Sequence, residues 1–309
     1  MPGSMPSVGV IVHRGRDALF NAFVRSLAKH GYADGKTIAL EPRFAEGVLE
    51  RTTGFAEDLV ARKVDLIVAI GAVGARAAQR ATDRIPIVYS IVLDPVEAGF
   101  AAAVDRSGGN MAGVTNYDPD LAIEQLVLLK EVVPDLNRLA ILSDVDIPRP
   151  GGWNPLERSN EIAARSLGLE PQWVRIKGPT PDRATAFQAI VDGRARALQV
   201  LEVPVNLMDF QSIAALAIEH RLPTMFPGGW QHDGLMAYGT SLLQTVPELP
   251  ALIGLILDGA NAGDIPVRHV RQHSLRVNLA TAQRIGFDVS PAVVARASEV
   301  ISNDRWRVR

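Results

Sequence analysis

The chain contains no cysteine. That excludes disulfides, thiolate metal sites and every cysteine-based mechanism, including the facing-thiol chemistry of two-lobed α/β racemases. Charge of one sign never accumulates. The net charge is −2 with no basic or acidic block, which argues against nucleic acid as the main partner. No run approaches the roughly 20 apolar residues of a membrane helix. No signal peptide is visible, because Met1-Pro-Gly-Ser-Met5 leads straight into the first apolar stretch; that short start reads as a remnant replacing a cleaved signal. The six histidines are scattered, and neither a G-x-S-x-G elbow nor an H-E-x-x-H helix occurs, so no catalytic residue, metal or cofactor is expected. Gly71-Ala-Val-Gly74 is too short for a dinucleotide fingerprint.

What is present is organised around Asp65 to Gln79. Leu66 to Ile70 is apolar and partly β-branched, as suits a parallel strand covered on both faces. Gly71 and Gly74 allow a sharp turn, and Ala75, Ala77 and Ala78 favour the helix that follows. Such a turn points backbone N–H groups at the C-terminal edge of a sheet, where they can cradle an anion or carboxylate. Open α/β sheets bind ligands at that edge.

With 309 residues, 47% of them hydrophobic, the chain can form two ordinary cores. In order, strands are expected at 8–13, 36–42, 66–70 and 85–90. Helices are expected from Asp17 to Lys29, over 51–63 and after Gly71. Residues 110–117 read as an extended crossing segment. The pattern then restarts: a helix over 121–132, a strand over 139–143, a helix from about Leu156, strands at 172–176 and 197–201, a helix over 206–219 and a strand over 222–226. Two copies of one unit of a little over 110 residues result. Residues 247–259 and 267–277 finish the sheets and cross between lobes, and a helix from Ala280 closes the chain. The expected fold is α/β, with two Rossmann-like lobes, parallel sheets and flanking helices hinged around a cleft. The N-terminal lobe covers 1–117 and the C-terminal lobe 118–239, with 240–309 as the crossover segment completing them.

This order of elements, with Gly31-Tyr-Ala-Asp-Gly-Lys36, Asp65-Leu-Ile-Val-Ala-Ile-Gly71, Asp94-Pro-Val-Glu-Ala-Gly99, Asn110-Met-Ala-Gly-Val114 and Leu128-Leu-Lys-Glu-Val-Val-Pro134, resembles the ABC-transporter substrate-binding proteins related to the tryptophan/tyrosine-type binders. The resemblance covers nearly all of residues 7–300. It implies a type I periplasmic binding fold, an extracytoplasmic monomer and a membrane permease as partner. The chain departs from that pattern at Gly71-Ala72, where the family often has Thr or Ser. It departs again at Glu202, where Asp is common, and in the long Pro- and Gly-rich loop 144–154.

Loops leaving the C-terminal strand ends supply the candidate ligand residues. In the first lobe these are His13, Arg14, Arg16, Gly71, Ala72, Val73, Ser90, Asp94, Asn116 and Tyr117. In the second they are Asp144, Glu202, Asn206, Gly229 and Trp230, with Trp153 on the same argument. His13 fits a polar loop residue better than a metal ligand. An arginine could bind a carboxylate bidentately. Asp94 serves equally as a turn cap or a ligand contact, and Asn206 as a helix cap or a contact. Tyr89 belongs to the core. Trp230 follows two glycines in a loop, and stacking on a flat ligand would explain it. The expected ligand is a small organic acid or amino acid, aromatic ones included, bound between the lobes by hinge closure. A ligand-sensing module of a receptor or regulator is the competing reading; a two-lobed enzyme fits less well.

Overall fold

The alternation of short apolar runs with amphipathic ones builds two α/β units in the computed structural model. Residues 5–13, 15–92, 94–147, 154–229, 231–240, 244–302 and 305–308 are described, the last four by backbone alone. Unit 1 comprises residues 1–117 and 242–271; unit 2 comprises 118–241 and 272–309.

Unit 1 has strands β1 (Ser7–Val12), β2 (Ala39–Phe44), β3 (Leu66–Ile70), β4 (Ile87–Ser90), β5 (Met111–Thr115) and β11 (Arg268–His269), with helices α1 (Ala18–Lys29), α2 (Arg51–Ala61), α3 (Ala72–Ala81) and α9 (Leu249–Leu257). Its sheet order is β11-β5-β4-β3-β1-β2, parallel throughout. Burial on both faces follows the two-residue period of a strand. Val8, Val10, Val12, Leu66, Val68 and Ile70 pack with Phe20 and Phe23 of α1 and Leu252 of α9. Ile11, Ile67, Ala69 and Tyr89 pack with Leu59 of α2 and Ala75 and Ala78 of α3.

Unit 2 repeats the arrangement with α4 (Leu121–Val132), β6 (Arg138–Asp144), α5 (Pro155–Ser166), β7 (Glu170–Ile176), α6 (Arg183–Asp192), β8 (Ala197–Val200), α7 (Pro204–Leu207), α8 (Phe210–Glu219), β9 (Thr224–Pro227) and β10 (Met236–Gly239). It ends in β12 (Ser274–Asn278), α10 (Leu279–Ile285), α11 (Pro291–Arg296), β13 (Glu299–Ser302) and β14 (Arg305–Val308). The order β14-β13-β12-β10-β9-β8-β6-β7 contains the run β10-β9-β8-β6-β7. Position by position, that run matches β5-β4-β3-β1-β2, so the internal duplication is a duplication of topology.

Several expectations need correction. The strand placed at 36–42 lies at 39–44, because Thr37 closes a turn by accepting the Ala33 N–H at 2.7 Å. The helix expected over 206–219 is two helices, since Asp209 takes the Ser212 N–H at 3.0 Å and caps α8 afresh. Helix α6 had no counterpart in the sequence reading. Residues 267–277 do finish both sheets, as expected: β11 pairs with β5 in unit 1, and β12 pairs antiparallel with β10 in unit 2. The C-terminus is not one closing helix. Gly286 ends α10 in the left-handed region (φ +81°), Ser290 caps α11, and the hairpin β13–β14 finishes the sheet. Among the described residues no helix is long and apolar enough to cross a membrane.

Candidate functional site

In unit 1 the candidate residues gather where β1, β3, β4 and β5 end. Gly71 (φ +112°) takes the chain from β3 into α3. Its N–H donates to the Ser90 carbonyl at 3.0 Å, which ties the turn to the end of β4. A Cβ at position 71 would stand 3.9 Å from that of His13, so the ends of β1 and β3 are neighbours here. Helix α3 has no side-chain cap and no acidic residue in its first turn. By contrast, Asp17 caps α1 through the Leu19 and Phe20 N–H groups, both at 3.1 Å. The first N–H groups of α3 therefore remain available to an anion. Ala72 is exposed and Val73 half-buried. Ser90 is fully buried, and its Oγ has no hydrogen-bond partner among the described residues. A buried hydroxyl without a partner is costly, and one at a sheet edge beside an uncapped helix is a place for a ligand's polar atom.

The segment after β4 is strained. Ile91 stands at φ +58° and Asp94 at φ +32°. A β-branched residue in that region is a genuine outlier, and such strain concentrates at functional sites. Ile91 gave no signal in the sequence. Asp94 commits one oxygen to the turn it starts, Oδ1 accepting from Val96 N–H at 3.1 Å and Glu97 N–H at 3.0 Å. Asn116 is buried and Tyr117 half-buried. Their position is set by Thr115, whose Oγ1 donates to the Val92 carbonyl at 2.7 Å and accepts the Tyr117 N–H at 3.0 Å. Arg16 turns to aromatic faces instead of gathering with this group: its guanidinium lies 5.4 Å from the Phe20 ring and 5.8 Å from that of Phe44.

In unit 2 the corresponding strand ends are braced by two of the candidates. Asp144 is buried, with Oδ1 accepting from Asp146 N–H at 2.8 Å and Oδ2 from Val205 N–H at 3.0 Å. It thereby caps the α7 turn from 61 residues away. Asn206 is not a helix cap. It is fully buried within α7, and its Nδ2 donates to the carbonyls of Leu142 at 2.9 Å and Leu201 at 3.0 Å. Glu202 is half-buried. Gly229 is exposed at φ +85°. Arg14, Trp153 and Trp230 lie outside the described residues.

Sequence reasoning missed Glu157. Fully buried in the first turn of α5, it accepts from Ser143 Oγ at 2.9 Å and Arg175 Nε at 3.0 Å. The Arg175 guanidinium also lies 5.1 Å from the Trp173 ring. These contacts clamp the ends of β6 and β7 around the start of the 144–154 loop. Replacing Glu157 by glutamine is expected to lower unfolding free energy by about 2–3 kcal/mol. That is below the usual cost of breaking a buried pair, because Arg175 reaches water. Urea titration of the variant checks this; a loss under about 0.5 kcal/mol would mean that the carboxylate is not a clamp.

Two sheets sharing a parallel five-strand run of one topology, with candidate ligand groups at the C-terminal strand ends, define a two-unit α/β protein. The comparisons with known proteins agree. A sequence model of the family described as ABC transporter substrate binding protein matches residues 7–146. The family resemblance read from the sequence agrees with that match over this part of the chain. The chain is similar to a protein of Clostridioides difficile (strain R20291) named Tyrosine-binding protein, 26% identical over 285 residues, covering 89% of this chain and 79% of that one. A conserved domain protein of Vibrio cholerae has a similar fold (TM-score 0.83, 21% identity, 97% of this chain and 100% of that one). So does an ABC domain from Streptococcus pneumonia in complex with L-Trp (TM-score 0.80, 20% identity, 96% and 100%).

Proposed function

We propose that the chain binds an amino acid with an aromatic or apolar side chain and delivers it to a membrane permease from an extracytoplasmic location. The observation that carries this reading is the uncapped α3 N-terminus beside the unsatisfied Ser90 hydroxyl. Its amides take the ligand carboxylate. The free oxygen of Asp94, or Glu202, takes the ammonium, and Tyr117 or Trp230 covers the side chain. The ligands named for the two relatives, tyrosine and L-Trp, are of this class. Hinge closure and a monomeric state belong to the same proposal. The role is binding rather than turnover.

A thermal-shift screen of amino acids and small organic acids tests this. A ligand at about 100 times its Kd stabilises the native state by about 2.7 kcal/mol. L-Tyrosine or L-tryptophan is expected to give such a shift. Ser90→Val, Trp230→Ala and Asp94→Asn, the last keeping the turn cap, are expected to abolish it while preserving the fold. Undiminished shifts in all three variants would place the ligand elsewhere, and steady consumption of a ligand would remove the transport reading.

A further inference from the structure

On unit 2 a cavity of about 420 Å³ lies among α4, β10, β12 and α11, within the size range of small-molecule sites. None of its lining residues is a candidate for the amino-acid site. One wall carries Glu124, whose Oε2 accepts the Tyr238 hydroxyl at 3.0 Å and lies 3.4 Å from His273 Nδ1. Among the described residues this half-exposed carboxylate faces a phenol and an imidazole, with no arginine or lysine against it. A second carboxylate stands behind it, Asp118 Oδ2 being 3.8 Å from His273 Nε2. The arginine in the cavity wall, Arg296, is already paired with Glu131 at 2.5 Å. Burial, followed by Glu124 and Asp118, pushes the Tyr238 phenol up to about 12, with the Arg296 charge acting the other way. Val127, Leu128 and Leu275 make the remaining wall apolar. An acceptor-only carboxylate above an aliphatic surface matches a group with donors only, carried on a short hydrocarbon chain.

We propose that this cavity is a second binding site that takes a small aliphatic primary amine. Its ammonium sits on Glu124 and its alkyl chain lies along Val127, Leu128 and Leu275. Isothermal titration of the full chain at neutral pH with n-butylammonium chloride tests this, with n-butanol and sodium butyrate as controls. The amine is expected to bind while the alcohol and the acid do not. Glu124→Gln, which keeps the shape and removes the charge, is expected to raise its Kd about tenfold or more. Val127→Trp, which fills the cavity and leaves the charge, is expected to abolish binding. Absence of amine binding to the wild type, equal binding of n-butanol, or an unchanged Kd in either folded variant overturns the proposal. Both positions lie outside the candidate amino-acid residues, so the response of the variants to L-tyrosine or L-tryptophan reports separately on that site.

Discussion

Gly113→Ala is expected to destabilise unit 1 by about 3 kcal/mol or more, because overpacking a rigid core forces side chains and backbone apart. Gly113 on β5 pairs with Tyr89 on β4. A Cβ there would stand 2.1 Å from Tyr89 Cε2 and 2.3 Å from Cδ2 and Cζ. The ring cannot retreat: Tyr89 is fully buried against Phe100, with ring centroids 5.7 Å apart. The next residue is Ser90, so a displaced ring would also disturb the proposed ligand cradle. Denaturant titration and the amino-acid thermal shift should fail together. Adding Tyr89→Leu to the alanine variant should recover part of the loss, since the two changes share one contact. A variant within about 0.5 kcal/mol of wild type would show that the two strands hold the ring elsewhere.

Acidification is expected to weaken unit 2 through His232. This side chain is buried, and burial followed by the Arg276 charge holds its pKa well below the ordinary value of 6.5. Gly234 N–H donates to Nδ1 at 3.0 Å, and Arg276 Nη2 lies 2.8 Å from Nε2. A second proton on the ring would find no acceptor. The ring also lies against Phe226, 3.9 Å between centroids. Because the folded-state pKa is depressed, stability is fully present above the unfolded value of about 6.5. It is lost as pH falls below that value, where the unfolded chain takes up a proton that the native chain refuses. The slope approaches about 1.4 kcal/mol per pH unit in the window between the unfolded and folded values. Urea titrations at pH 7 and pH 5, repeated on His232→Gln, isolate this contribution, since the variant lacks it. An equal pH dependence in both proteins would assign the loss to other groups.

The order of strands and helices was legible because the signals are local. Alternating or continuous apolar runs mark strands, and Asp17 before α1 is a cap that one turn of chain explains. Gly71 was legible for the same reason: a glycine between an apolar strand and an alanine-rich helix has few other uses. Asp209, Gly286 and Ser290 were equally local stop and start signals, and overlooking them fused α7 with α8 and replaced the C-terminal hairpin with a helix.

The sequence by itself determined the fold class and the duplication, because each follows from residues a few positions apart. Only the tertiary structure decided what the candidate side chains do there. It set Asp144 and Asn206 as braces across 61 and 64 residues and turned Arg16 onto aromatic rings. It also left Ser90 without a partner among the described residues. A side chain's hydrogen bonds depend on which distant backbone groups arrive beside it, and that is fixed by packing rather than by its neighbours in the chain.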